Sequence, residues 1–154
     1  MKRAAGIGIA VALATGGVTA ASAESACAPQ DPQAIVNVMT AMYDAALNDD
    51  EERMAEILAP GFYAFDAGHR FDGMTLPNLI KTAHKGGRVY RWSVTLPDIH
   101  IACDTAWIAY VNDGAVGDTK RTAPQQWLES ANLAYAHGRW RVLFLSSMRV
   151  PPAG

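Results

Sequence analysis

Residues Trp127 to Val150 read WLESANLAYAHGRWRVLFLSSMRV, two apolar and aromatic runs that meet at Ala136-His137-Gly138-Arg139. A short Gly-containing link between two such runs predicts a β-hairpin. In the second run Trp140, Val142, Leu143, Phe144 and Leu145 follow almost without a break. That is too apolar for a strand with one face in water, so a strand covered on both sides is expected. Placed after helices, this hairpin predicts a cone-shaped α+β domain that encloses a pocket.

The helices come first. Asp31-Pro32 is a strong start, with Asp as cap and Pro at the first helical position. From there Ile35, Val36, Met39, Met42, Tyr43, Ala46 and Leu47 share one face, opposite Asn37, Asp44 and Asn48. Asn48-Asp49-Asp50 breaks the run and caps a second helix, which buries Met54, Ile57 and Leu58 and ends at Pro60-Gly61. A short strand, Phe62 to Asp66, leads into a turn-rich return from Ala67 to Gly73. A third helix runs from Thr75 to about Lys85, with Gly86-Gly87 as its stop. The rest reads as strand: Val89 to Ala102 with a bulge at Pro97, Ala106 to Val111, Arg121 to Ala136, and Arg139 to Val150. The expected class is α+β, three N-terminal helices packed in the concave face of a strongly curved antiparallel sheet.

Met1-Lys2-Arg3, then uncharged Ala4 to Val18, then Ala21-Ser22-Ala23 have the form of a secretory signal with its cleavage site. The uncharged run is crowded with Gly, Thr and Ala and lacks the bulk of a membrane anchor. Residues 1 to 23 are therefore expected to be removed. Residues 24 to 30 form a tail, 31 to 150 a single domain, and 151 to 154 a second tail. An oxidising destination makes a disulfide between Cys27 and Cys103 the expected use of the two cysteines, with two buried thiols as the alternative. Closing so long a loop contributes on the order of 4 kcal/mol in the chain-entropy account.

Half of the chain is apolar and 18% is charged, with no basic stripe, so nucleic acid is not an expected partner. Zinc spacings, HExxH, GxSxG and a phosphate-binding glycine loop do not occur, so neither a metal nor another cofactor is expected. Once the signal is cleaved, no membrane partner is expected either. The small charge content of Val142 to Leu145 predicts a homodimer through the outer face of the sheet.

Tyr43-Asp44-Ala45-Ala46-Leu47-Asn48 before an acidic turn, Phe62 to Asp66, and Trp127-Leu128-Glu129-Ser130 paired with Gly138-Arg139-Trp140-Arg141-Val142 together resemble the nuclear transport factor 2-like superfamily. The resemblance covers about residues 31 to 149. It includes ketosteroid isomerases and SnoaL-like cyclases, and it implies a cone with a deep, mostly apolar pocket, often dimeric. Against the isomerase pattern, Tyr43 falls at the oxyanion-binding tyrosine and Asp66 at the proton-moving carboxylate. Where those enzymes place a neutral acid, this chain has Gln126, a non-ionising donor.

Each of these positions also has a plainer reading. Tyr43 sits in the apolar stripe of its helix and suits a core tyrosine. Asp66 precedes Ala67-Gly68 and suits a turn cap, while His69 and Asp72 suit a solvated loop. His84 flanks the third helix's stripe and either reaches the pocket or stays at its boundary. Trp92, Trp107 and Trp127 are expected on the pocket wall, although strand period alone does not choose between two apolar faces. Glu129, a charge between apolar neighbours, either pairs with Arg139 or Arg141 across the hairpin or lines the cavity as an acid. Two functions follow. One is an exported module that binds a small apolar or aromatic molecule. The other is a cofactor-free isomerase, cyclase or dehydratase using Asp66 and Tyr43.

Overall fold

The structure, a computed structural model, describes residues 27–151; the expected signal segment lies outside the described residues. Helix α1 (Pro32–Leu47) starts where Asp31 accepts a hydrogen bond from the Gln33 amide at 2.9 Å. Helix α2 (Glu51–Ile57) is capped in the same way by Asp50. It ends sooner than Pro60-Gly61 suggested, because strand β1 (Leu58–Asp66) already begins at Leu58. Pro60 and Gly61 sit where β1 slips register against its neighbour, a bulge that the positive φ of Gly61 permits.

The return from Ala67 to Gly73 holds a further strand, β2 (His69–Asp72), which pairs with β1 through the two-residue turn Ala67-Gly68. Helix α3 (Thr75–Lys85) follows as expected. The single strand expected from Val89 to Ala102 is instead two, β3 (Arg88–Arg91) and β4 (Val94–Ala102). Both pair with successive parts of β5 (Thr105–Asp118). The break falls at Ser93, whose amide bonds the Asn112 side chain and whose hydroxyl bonds the Asp113 carbonyl. Pro97 does mark a slip in register, between Thr95 and Asp98.

Strand β5 runs on past Val111 because its glycines are packing requirements rather than breaks. A Cβ on Gly114 would lie 1.9 Å from the Arg91 carbonyl oxygen. Strands β6 (Thr122–Ala136) and β7 (Arg139–Arg149) form the long hairpin, closed by His137-Gly138 with both residues at positive φ.

The seven strands make one curved sheet in the order β2-β1-β7-β6-β5-β3, with β4 also on β5. Its pairings are antiparallel except β1 with β7. The three helices lie in its concave face, so the protein is an α+β cone. Ile35 and Met39 of α1 are fully buried against Ile108, Leu133 and Val142 of the sheet. Cys27 and Cys103 are disulfide-bonded, with Cα atoms 4.5 Å apart. Beside the bridge the Ala28 amide donates to Asp104 Oδ1 at 2.9 Å, so the segment ahead of α1 is fastened to the β4–β5 turn. No helix among the described residues is long and apolar enough to cross a membrane.

Candidate functional site

Between α1, α3 and the concave face lies a cavity of about 300 Å³. Met42, Met54, Leu76, Ile80 and Leu145 give it apolar walls, and Tyr90, Trp92 and Trp127 add aromatic surface. Trp92 stacks on two tyrosine rings, with its centroid 5.6 Å from Tyr43 and 5.0 Å from Tyr90. Its polar lining comes from Tyr43, Asp66, Glu129 and Ser147.

Strand register explains how these polar groups meet. Asp66 on β1 stands opposite Ser147 on β7, Ser147 opposite Glu129 on β6, and Glu129 opposite Tyr110 on β5. Paired residues share a face, so these four form one row across four strands. Tyr43 reaches the row from α1. Glu129 is 8% exposed, and three side chains donate to it. Ser147 Oγ donates to Oε1 at 2.7 Å, Asn112 Nδ2 to Oε2 at 3.2 Å, and the Tyr43 hydroxyl also to Oε2. The Tyr43 proton being engaged there, the Tyr110 hydroxyl donates to the Tyr43 oxygen, 2.5 Å away.

Burial, and then the neighbouring Tyr110 and Glu129, hold the Tyr43 hydroxyl well above the usual phenol range. Burial also dominates at Tyr110, with the same upward direction. Both tyrosines are therefore protonated donors at neutral pH. Asp66 is half-buried, and loss of solvent raises its carboxyl above the usual range against the opposing pull of the Ala67 amide and the Ser147 hydroxyl. A carboxylate in such a setting accepts a proton or a hydrogen bond more readily than one in water.

Tyr43, Asp66, Trp92 and Trp127 thus border one cavity. Three other expected pocket residues require correction. Trp107 is 42% exposed on the convex face, where its ring stacks on His100 at 4.1 Å. It pairs with Asn132, and Asn132 has the opposite parity to Trp127 on the same strand, so the two tryptophans face opposite sides. Gln126 is turned outward for the same reason and donates to Asp113 at 2.7 Å. His84 lies behind the wall, its Nδ1 2.7 Å from Asp49 Oδ1 and its ring packed on Tyr90. His69 and Asp72 are exposed on β2 and take no part in the cavity.

Glu129, three residues after Gln126, places a carboxylate in the cavity lining. Alternation of Trp127, Glu129, Ala131 and Leu133 carried that signal, since a charge on an otherwise inward face implies an inward charge. Arg139 and Arg141, its alternative partners, pair with Ala136 and Ala134 at the far end of the hairpin. Ser147, Asn112 and Tyr110 had no signal in sequence, because their roles depend on cross-strand register.

No protein-family model and no curated relative matches the chain. Solved structures do match. A candidate dehydratase of the NTF2-like family from Streptomyces avermitilis is 13% identical, with a TM-score of 0.66 over 77% of this chain and 95% of that one. The association domain of C. elegans CaMKII is 23% identical, with a TM-score of 0.64 over 75% and 92%. An NTF2-like protein from Cytophaga hutchinsonii is 16% identical, with a TM-score of 0.65 over 77% and 97%. At these identities the likeness is one of architecture, and the chain has the NTF2-like, cystatin-like fold.

Proposed function

We propose that this protein is an exported domain that binds a small apolar or aromatic molecule in the cavity between α1, α3 and the sheet. One observation carries the reading: a mostly apolar space of about 300 Å³, walled by Trp92 and Trp127, with the carboxylates Asp66 and Glu129 and the hydroxyls of Tyr43 and Ser147 gathered on one side. That combination of apolar walls and a few convergent polar groups is the usual form of a ligand site. Export is supported by the Cys27–Cys103 bridge, which suits an oxidising compartment. N-terminal sequencing of the secreted protein should then begin at Glu24. The convex face, with Trp107, Leu128 and Met148 exposed, is proposed to pair with a second copy.

The experiment is a tryptophan fluorescence titration with 1-naphthol. Saturable quenching is expected, and Ala46→Leu, which extends a lining side chain into the cavity, should weaken it. Quenching that never saturates would count against a defined site.

A second reading, a cofactor-free isomerase, cyclase or dehydratase, is favoured by Asp66 facing the same cavity with its proton affinity raised. A solved protein of this fold is described as a candidate dehydratase. Binding remains the preferred reading because the Tyr43 proton is already given to Glu129, so a substrate oxygen must compete with a carboxylate for it. Deuterium exchange into 2-tetralone, catalysed by the native protein and lost in Asp66→Asn, would favour the enzyme.

A further inference from the structure

We infer that the ligand class of this cavity is an organic cation, an ammonium group carried on an apolar or aromatic body. The inference rests on the reading of the cavity as a binding site and adds the charge of its occupant. Its first ground is the sign of the lining: two carboxylates, Asp66 and Glu129, and no lysine, arginine or histidine. Glu129 is more than nine-tenths buried, yet its three donors are the neutral side chains of Tyr43, Asn112 and Ser147. Neither carboxylate takes part in an ion pair among the described residues. Buried carboxylates are ordinarily matched by a cation, because taking the charge out of water is costly. An ammonium ion at the Asp66–Ser147–Glu129 row supplies that match from the ligand side.

The second ground is independent of the acids. Trp127, whose ring stacks on no other among the described residues, lines the same space, and aromatic rings attract alkylammonium groups through their electron-rich faces. The remaining walls, Met42, Met54, Leu76 and Leu145 among them, suit the hydrocarbon part. An anion of equal size would meet two carboxylates and no counter-charge. A neutral hydrocarbon would fill the apolar part and leave the row unused. Burial raises the Asp66 carboxyl, and a cation beside it would draw the group back toward its charged form.

The test compares three probes of similar size on the intact mature protein by tryptophan fluorescence: benzyltrimethylammonium, its neutral carbon isostere neopentylbenzene, and phenylacetate. The cation should bind roughly tenfold more tightly than the isostere, the range of a desolvated cation–π contact reinforced by a carboxylate. Phenylacetate should bind most weakly. Asp66→Asn should remove much of the preference for the cation, read as the ratio of its affinity to that of neopentylbenzene in the same variant. Equal binding of cation and isostere, or tighter binding of phenylacetate, overturns the inference and leaves the cavity a binding site for other molecules. If no probe changes the emission, the cavity reading and the inference fall together. The probe comparison needs only the native protein, so it stands even where the variant folds poorly.

Discussion

Tyr43 and Glu129 lie 86 residues apart in sequence, and the tyrosine hydroxyl donates directly to the Glu129 carboxylate inside the cone. This bond joins the first helix to the penultimate strand and sets the polar side of the cavity. Tyr43→Phe is expected to destabilise the protein by about 1–3 kcal/mol, since it takes the acceptor from Tyr110 and a donor from Glu129. Denaturant unfolding measures the loss. Combined with Glu129→Gln, the two effects should be clearly non-additive, as expected of residues in one network. Simple additivity would show that the two side chains act separately.

Cutting the Cys27–Cys103 bridge should lower stability by about 2–4 kcal/mol, given that it closes a loop across 76 residues. The denaturation midpoint of a Cys27→Ser/Cys103→Ser protein should fall to that of the native chain under reducing conditions. An unchanged midpoint would mean that the Ala28–Asp104 hydrogen bond holds the segment without the bridge.

Asp66 makes the stability depend on pH in a stated direction. Its carboxyl is raised in the folded protein, chiefly by burial, so the folded state holds the proton more tightly than the unfolded chain. The stability this contributes is complete below the unfolded carboxylate range and is lost as pH rises through the folded-state value. At neutral pH the charged group is therefore a net cost. Asp66→Asn should raise the melting temperature at pH 8, with the advantage gone by about pH 3. A variant less stable than the native protein at pH 8 would contradict this.

Gly114→Ala should be among the most damaging single-atom additions available. The new methyl would meet the Arg91 carbonyl at 1.9 Å, and backbone cannot yield as a flexible side chain can. A loss of about 3 kcal/mol or more is expected, read from thermal unfolding. A loss below about 1 kcal/mol would show that the end of β3 moves freely away from β5.

Leu128→Lys tests the proposed dimer. Leu128 is exposed on the convex face beside Val111 and Met148, on the opposite side of the strand from the cavity lining. Sedimentation should find a dimer for the native chain at micromolar concentration and a monomer for the variant. A native monomer would assign the convex face to solvent.

Where the helices begin was legible from single residues, because caps act locally. Asp31-Pro32 and Asp50 start α1 and α2, and each aspartate meets an amide two or three residues on. Tyr43 and Asp66 could be named as site residues because a resemblance pointed to them, not because their surroundings could be computed from neighbours in the chain. The long hairpin was equally plain, since its turn and its apolar runs lie within one short segment. Strand faces were not. Trp107 and Trp127 both read as pocket residues, and one unit of register parity sends the first to solvent and the second to the cavity. The same parity turned Gln126 outward and brought Glu129 in. The strand expected to end at Val111 runs on to Asp118, and Gly114 within it packs against the Arg91 carbonyl.

The sequence by itself determined the helix starts, the hairpin and the α+β class, set by local backbone preference, and named the one cysteine pair available, which the structure joins. Tertiary structure alone decided the row of Asp66, Ser147, Glu129 and Tyr110, because alignment across four strands depends on bulges and pairings distant in the chain, and a shift of one residue would turn each side chain to the other face.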